Sequence, residues 1–491
     1  MMRRISGSSS GRFKIPKRGR IRFVLVIGLI IAAFYFRASF FQSRSQITEE
    51  NQAVENIQVL KETSAAKDIK VTKNVKEKRI KEKVIKEKRV KERREKPSRK
   101  KEAQSPQPIK KVSNQMSFED VRQLVRQHGI DINAPHQQIT LNNKDTLILS
   151  LSIDTNLQRY ANRLLRRYKP RYGAAAAVDP VTGRVLAFAS YAGEGETIED
   201  KDLYLKSIFP AASVFKTITA AAGIEKAGMN SKTQIPHFGG NHTLYRTQLQ
   251  ENLKVSRNIS LEDAFAYSIN PAFARIALFM INKDILTDYG KRFGFNTPLP
   301  FELDAGMSEM FAPDSEFSVA EFASGFNRQT NISPLFGALI ASAVCEGGVV
   351  PQPTIIDSIR SFKKDTIIYS RPKEPWRRAV KEQTAKELAV LMTKVPHYGT
   401  ARNTFRQIRH SPKFSGYQFG GKTGNVNKQG LGRVDWFVGF GRHPHDKSQR
   451  IAVGVVTTHG EYWTVHSSYI ASELIRRYLS AAQTQAKQTG E

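Results

Sequence analysis

Three short motifs in this chain carry side chains that could make and break a bond to a serine. In chain order they are Ser213-Val-Phe-Lys216, Ser268-Ile-Asn270 and Lys422-Thr-Gly424. The first motif places a hydroxyl and an amine three residues apart, on the same face of a helix. A serine hydroxyl is a weak nucleophile until a base takes its proton, so Lys216 must be neutral for part of the time. Burial and a second cation, Lys422, would both lower the pKa of Lys216.

Short strings of this kind also arise by chance. About two Ser-x-x-Lys strings are expected from average composition in a chain of 491 residues, and those that begin at Ser98 and Ser361 are of this sort. A second Ser-x-Asn string begins at Ser256. The interpretation therefore depends on the order, the spacing and the surroundings of the three motifs.

The surroundings of Ser213 and Asn270 favour positions at the starts of helices. Ser213 opens an apolar run, 214–227, where a helix would leave its first N–H groups unpaired. Asn270 lies between two stretches with helical spacing, 261–267 and 271–280, and is therefore also predicted to cap the second helix. The simplest alternative for Ser213 is a capping role without chemistry, which holds for most isolated strings of its type.

The surroundings of Lys422 favour an edge strand. A predicted strand at 417–421 precedes it, and the glycines there permit a ligand to approach the backbone closely. An edge strand can pair with an extended peptide, which would bring a peptide substrate alongside Lys422 and Thr423.

The remaining periodic segments predict an α+β fold. Strands are predicted at 148–153, 174–178, 184–188, 435–440 and 451–456, and helices at 157–165 and 467–479 and around Ala220, Phe273, Leu335 and Leu388. Strands at both ends of this region with helices between them predict one antiparallel sheet with a helical insertion.

The first 115 residues differ in composition from the rest. They carry 31 basic and 11 acidic residues, so +20 of the net charge of +32 lies there. Residues 23–36 are apolar and follow a basic stretch, so residues 23–41 are predicted to be an uncleaved membrane anchor, with 1–22 as a cytoplasmic tail. A cleaved signal peptide is the alternative, because this run is shorter than the roughly 20 residues of a spanning helix.

Residues 42–115 are predicted to form a charged spacer. A five-residue repeat between Val75 and Arg94 would rotate its aliphatic side chain by about 140° at each step of a helix, so no coiled-coil seam forms. Its positive charge could hold the spacer to anionic lipid or wall polymer, while the simpler interpretation is a solvated stalk. Nucleic acid is not an expected partner, since acidic residues are interleaved throughout.

Neither a metal ion nor a cofactor is expected. The single cysteine, Cys345, lies in an apolar run and is predicted to be a core residue, which excludes an intrachain disulfide and a cysteine metal site. His443, His445 and Asp446 could suggest metal ligands, but a solvated turn is the simpler interpretation.

From about residue 147 to 481 the chain resembles the transpeptidase domain of penicillin-binding proteins. Besides the three motifs, the resemblance rests on Ser152-Ile-Asp154 with Leu157-Gln158, Val178-Asp-Pro-Val-Thr-Gly183, Pro210-Ala-Ala-Ser213, Phe293-Gly-Phe295, Gly399-Thr-Ala401 and Asp435-Trp-Phe437. It implies an antiparallel five-stranded sheet flanked by helices, with an all-helical subdomain. This domain would cover residues 147–485 and follow a lead-in segment, 116–146.

The resemblance also implies a role for each motif residue. Ser213 would be the nucleophile and Lys216 its base, while Ser268 would relay a proton to the leaving amine. Asn270 would hold the side-chain amide of the substrate. The substrate-binding edge would consist of Lys422, Thr423, Gly424 and Asn425, with the terminal carboxylate at the first two residues and an oxyanion hole formed by the N–H groups of Ser213 and Asn425.

Two positions depart from the family pattern. Asn425 stands where the family usually has threonine or serine, which leaves that substrate contact open. Residues 323–328 read Ala-Ser-Gly-Phe-Asn-Arg where a Gly-Gln-Gly pattern is common, which leaves the preference for donor or acceptor open.

The implied activity is peptidoglycan D,D-transpeptidation on the outer face of the cytoplasmic membrane. The expected partners are peptide stems, β-lactams, the membrane and a separate glycosyltransferase. One alternative is a D,D-carboxypeptidase or β-lactamase of the same fold, in which water deacylates the serine. Another is a non-catalytic sensor or scaffold that binds penicillin or wall peptide.

Overall fold

The computed structural model of the chain describes residues 115–141, 145–199, 201–251, 256–311 and 313–489. The predicted anchor and nearly all of the predicted spacer lie outside these residues. Within them, no helix has both the length and the apolar character required to cross a membrane.

Helices and short strands follow one another along the described chain. The helices are α1 (Phe118–His128), α2 (Thr155–Tyr168), α3 (Lys216–Ala227), α4 (Leu261–Ala266), α5 (Asn270–Arg275), α6 (Lys283–Phe293), α7 (Glu316–Ser324), α8 (Pro334–Cys345), α9 (Glu382–His397), α10 (Arg406–Arg409) and α11 (Ser467–Thr489). The strands are β1 (His136–Thr140), β2 (Thr146–Leu151), β3 (Tyr172–Val178), β4 (Val185–Ala192), β5 (Phe209–Pro210), β6 (Gln234–His237), β7 (Arg257–Ser260), β8 (Asn331–Ile332), β9 (Val349–Val350), β10 (Ile356–Ser361), β11 (Thr366–Ser370), β12 (Arg377–Arg378), β13 (Gln418–Lys428), β14 (Gly432–Arg442) and β15 (Arg450–His459).

Five antiparallel strands form the central sheet, as predicted, and their order is β13-β14-β15-β3-β4, with β13 at one edge. Strand β3 is buried along its whole length because helices cover both faces of the sheet. Gly454 lets α8 approach one face, since a Cβ there would lie 2.1 Å from the carbonyl oxygen of Pro334. Gly441 lets α11 approach the other face, where a Cβ would lie 2.4 Å from the side chain of Ile475.

A second antiparallel sheet has the order β1-β2-β10-β11. The strand predicted at 148–153 is β2 and belongs to this sheet, so the expectation of one sheet is wrong. The lead-in segment is folded here as well, because Ser117 caps α1 and Val121 and Leu124 join the core. Strands β10 and β11 come much later in the chain than β2, and the local spacing of apolar residues does not indicate which strands pair.

Helices α3 to α7 form the helical region beside the central sheet. It is not entirely helical, because β6 and β7 pair within it as a small antiparallel sheet. Each of these strands is only four residues long, which is too short for an alternating pattern to be recognised in the sequence. Cys345, at the end of α8, is buried in the core as predicted, and burial raises the pKa of its thiol.

Candidate active site

Ser213 lies in a 3-10 turn, Ala212–Phe215, directly before α3, as the sequence predicts. The preceding residue, Ala212, has a φ of 48°, in a left-handed region that alanine rarely adopts. Gly325 packs against this turn, and a Cβ at Gly325 would lie 1.9 Å from the carbonyl oxygen of Ala212. Strained backbone of this kind is frequent where a fold positions a reactive group.

Lys216 begins α3, and its side chain is fully buried. Its Nζ lies 2.7 Å from the hydroxyl oxygen of Ser213, 2.6 Å from Oδ1 of Asn270 and 2.6 Å from the main-chain oxygen of Ser324. The two carbonyl oxygens can only accept, so a neutral amine gives them its two N–H groups and directs its lone pair at the Ser213 hydroxyl. Burial holds the pKa of Lys216 well below its usual value, and the charge of Lys422 lowers it further.

The second motif connects α4 to α5 and reaches the first motif through Asn270. Oδ1 of Asn270 accepts from Lys216, and Nδ2 donates to the main-chain oxygen of His242 at 3.0 Å. The prediction that Asn270 caps a helix is wrong, because Ile269 occupies the cap position and no side chain bonds there. The side-chain amide of Asn270 contacts the buried Lys216 instead. Ser268 has a φ of 57° and is, like Ala212, a left-handed residue at this site.

Lys422 lies on β13 and is also fully buried. Its Nζ donates to the hydroxyl oxygen of Ser268 at 2.9 Å and to the main-chain oxygen of Thr423 at 2.9 Å. Burial lowers the pKa of Lys422 to about 7. Each lysine therefore contacts one residue of the second motif: Lys216 contacts Asn270, and Lys422 contacts Ser268.

The three motifs meet at one cleft of about 680 Å³. Thr423, Gly424 and Asn425 line it from β13, which passes close to the nucleophile: a Cβ at Gly424 would lie 3.3 Å from the backbone nitrogen of Ser213. The hydroxyl of Thr423 lies 2.5 Å from that of Thr400. Every site residue predicted from the sequence thus lines this cleft or lies directly behind it.

Other residues of the site were not predicted. Ser324 and His242 contribute main-chain carbonyl oxygens, which no side-chain pattern can reveal. Ser324 belongs to the segment that departs from the family pattern. Further along, the cleft is lined by Arg328, Arg433, Trp463 and His466.

In the described part of the chain, no three His, Cys, Asp or Glu side chains are grouped as they would be to hold a metal ion. His443, His445 and Asp446 lie in the turn between β14 and β15. Asp446 there accepts hydrogen bonds from the turn itself, at Ser448 and Gln449.

The sequence model of the penicillin-binding protein transpeptidase domain matches residues 173–479. The chain belongs to this family. Stage V sporulation protein D of Bacillus subtilis is 25% identical over 332 residues, which cover 60% of this chain and 48% of the relative. The peptidoglycan D,D-transpeptidase PbpA of Mycolicibacterium smegmatis is 24% identical over 347 residues, 64% of this chain and 67% of the relative. The chain thus spans about half the length of the first relative.

Solved penicillin-binding proteins share the fold of this transpeptidase domain. Penicillin-binding protein A of M. tuberculosis, in an imipenem acyl-enzyme complex, has a TM-score of 0.55 and 21% identity, covering 67% of this chain and 80% of that one. Penicillin-binding protein 2B of Streptococcus pneumoniae has a TM-score of 0.55 and 18% identity, covering 68% and 60%. The resemblance inferred from the motifs is therefore confirmed.

Proposed function

We propose that this chain is a peptidoglycan D,D-transpeptidase that cross-links peptide stems through an acyl-Ser213 intermediate. The observation that carries the proposal is the amine of Lys216, 2.7 Å from the Ser213 hydroxyl oxygen and bonded on its other sides to two carbonyl oxygens. A desolvated lysine in such a position is a better proton acceptor than an exposed one. The relative from M. smegmatis bears the name of this activity.

In the acylation step, Ser213 attacks the carbonyl carbon between the two terminal D-alanines, and its proton passes to Lys216. The N–H groups of Ser213 and Asn425 stabilise the negative charge that develops on the carbonyl oxygen. The C–N bond then breaks. Ser268, hydrogen-bonded to Lys422, delivers a proton to the leaving amine, and Lys216 returns its proton to this network.

The substrate is held along the edge strand β13. Its main chain pairs with the backbone at Gly424, where the absence of a side chain keeps the strand close to the nucleophile. Thr423 binds the terminal carboxylate at the wall of the cleft, with the buried amine of Lys422 behind it, and Asn270 holds an amide of the stem.

In the second step, an amine of a neighbouring stem attacks the ester and releases Ser213. A hydrolase would instead need a group that activates water. Among the described residues that line the cleft, only Asp435 carries a carboxylate, and it accepts from the backbone N–H of Ser467 at 2.7 Å. Because that carboxylate is engaged at the start of α11, it is not placed to activate water in the way a β-lactamase requires.

The proposed organisation of the whole chain is a cytoplasmic tail at 1–22, an anchor at 23–41, a charged spacer at 42–115, a lead-in segment at 116–146 and the transpeptidase domain at 147–485. The apolar run after a basic stretch supports the anchor. The domain then acts on the outer face of the cytoplasmic membrane, on stems of glycan strands that a separate glycosyltransferase supplies. β-Lactams acylate the same serine.

The test is turnover of a synthetic stem that ends in D-alanyl-D-alanine, with a second D-amino acid present as acceptor. We expect the full chain to release D-alanine and to form the exchanged peptide, and Ser213→Ala to do neither. Release of D-alanine without exchange would indicate a carboxypeptidase. Rapid opening of penicillin would indicate a β-lactamase, and penicillin labelling without turnover of any stem would indicate a binding module.

A further inference from the structure

A second cavity of the domain, apart from the cleft, is lined almost entirely by arginine. It has a volume of about 440 Å³ and is formed by residues of α2 and α11. Arg159 and Arg163 come from α2, Arg477 comes from α11, and Asn156 completes the lining. None of these four residues lines the cleft around Ser213. This arginine cavity is therefore a separate site.

The side chain of Tyr160 holds the arginines in place. The guanidinium groups of Arg163 and Arg477 lie over its ring, 5.6 and 5.8 Å from the ring centre. The ring itself is fixed, because its hydroxyl donates to the carboxylate of Glu473 on α11 at 2.5 Å. Arg159 donates to the side-chain oxygen of the asparagine in the lining at 2.9 Å. All three guanidinium groups thus have defined positions around the cavity.

No acidic side chain balances the charge of the arginine cavity. Across the residues that the structure describes, no carboxylate lies within ion-pair distance of any of its three arginines. Glu473 is already paired, because Arg476 donates one hydrogen bond to each of its oxygens, at 2.9 and 2.6 Å. Asp154 caps α2, and its carboxylate accepts from backbone N–H groups of the first turn. Both carboxylates are thus engaged by other groups.

The repulsion among these arginines lowers the stability of the folded domain. Arg159 and Arg163 lie four residues apart on α2, where like charges destabilise a helix. A local arrangement that costs stability and has no partner within the fold is expected at a functional site. An anion in the cavity would remove the repulsion and accept charged hydrogen bonds from the guanidinium groups.

We propose that the arginine cavity binds two neighbouring phosphate groups, as in a diphosphate. Each guanidinium presents a fork of N–H groups that matches two phosphate oxygens. Arg159 and Arg163 are separated by about 6 Å along the helix axis, so different arginines can hold different phosphates. Three positive charges exceed the single negative charge of one phosphodiester, which favours the diphosphate. This chemistry is the same whether the diphosphate is free or is carried by a lipid.

The test is isothermal titration calorimetry of the full chain with inorganic pyrophosphate at physiological ionic strength. Arg163→Gln and Arg477→Gln should each raise the Kd about tenfold, the worth of one partly exposed charged hydrogen bond, and the double variant should raise it about a hundredfold. Inorganic phosphate should bind the unmodified chain at least about tenfold more weakly than pyrophosphate. Equal affinity for the two anions would overturn the proposal.

Thermal unfolding shows whether the folded protein holds the ligand. Pyrophosphate at a hundred times its Kd should raise the unfolding temperature of the unmodified chain by about 3 °C and should not raise that of the double variant. Arg159→Gln removes one charge without touching the Tyr160 ring, so it tests the same site if changes at the ring prevent folding. Arg406→Gln is the matched control, because Arg406 is an exposed arginine of α10 outside the arginine cavity.

Phosphatidylcholine vesicles that contain farnesyl diphosphate distinguish the two sources of the ligand. Vesicle binding that the double variant loses would support the proposal and identify a lipid-borne diphosphate, while binding of free pyrophosphate alone would support it with a soluble one. An unchanged Kd for pyrophosphate in the double variant, or an equal loss in Arg406→Gln, would overturn it. Either outcome leaves the proposed function standing, because the arginine cavity shares no lining residue with the cleft.

Discussion

Replacing Asn270 by aspartate tests whether a neutral Lys216 makes Ser213 reactive. The two side chains have almost the same shape, but aspartate places a negative charge where an amide oxygen now lies 2.6 Å from Nζ. At an effective dielectric constant of about 20, a unit charge at this distance favours the protonated lysine by about 6 kcal/mol. Burial of the new carboxylate offsets part of this. If only half remained, the ratio of neutral to protonated Lys216 would still fall roughly a hundredfold.

The assay is the second-order rate constant for acylation by a fluorescent penicillin, measured across a range of pH. Asn270→Asp should move the rise of this constant to higher pH by about two pH units and lower the constant about a hundredfold on the acid side of the profile, because the stabilised ammonium must first lose a proton. Asn403→Asp is the matched control, since Asn403 lines the same cleft without contacting Lys216. An exposed charge there should change the rate less than about fivefold.

A folded Asn270→Asp protein that acylates at the unmodified rate, with the same pH profile, would refute the reasoning. Thermal unfolding shows whether the variant is folded, since it also loses the hydrogen bond from Asn270 to the main-chain oxygen of His242. A uniform loss at all pH values would instead indicate that Asn270 acts on the substrate and not on the lysine.

Three other substitutions and one chemical treatment give separate tests. Lys422→Met should abolish acylation yet raise the unfolding temperature at pH 7, because the pKa of Lys422 is lowered to about 7 from 10.5. Between these two pH values the folded protein binds fewer protons than the unfolded chain, so the cost of burying Lys422 grows as pH falls and is complete below about pH 7. The gain in unfolding temperature should therefore shrink toward about pH 10, and a gain that stays constant would contradict this. Gly424→Ala should slow acylation at least about tenfold, because its Cβ would lie 3.2 Å from the carbonyl oxygen of Ala211. Gly325→Ala should lower the free energy of unfolding, measured in urea, by about 2–4 kcal/mol, because its Cβ would lie 1.9 Å from the carbonyl oxygen of Ala212. Cys345 should resist a thiol reagent in the native protein, since burial raises its pKa, and rapid labelling would disprove that.

Much of the site was predictable because its chemistry lies in side chains with fixed local spacing. Ser213 and Lys216 need only a helix to bring them together, and the sequence predicts that helix from the apolar run that follows. An edge strand at Lys422 followed from the glycines before it. The contact between Lys422 and Ser268, at 2.9 Å, has no local signal and could be expected only from resemblance to the family.

Two of the errors and one omission share a physical cause, which is tertiary contact. The string Asn270-Pro271 favours a capped helix, but the buried amine of Lys216 takes the amide oxygen instead. The strand at 146–151 has a clear pattern, yet its partners β1 and β10 decide that it lies in a second sheet. The basic end of the cleft combines Arg433 with Trp463 from a different segment, so no motif could contain both.

Mass spectrometry of the full chain after incubation with penicillin, followed by peptide mapping, tests the central claim most directly. The account predicts one covalent adduct with the mass of the intact β-lactam, on Ser213, and none on the Ser213→Ala protein. An adduct on another residue, or equal labelling of the Ser213→Ala protein, would contradict it.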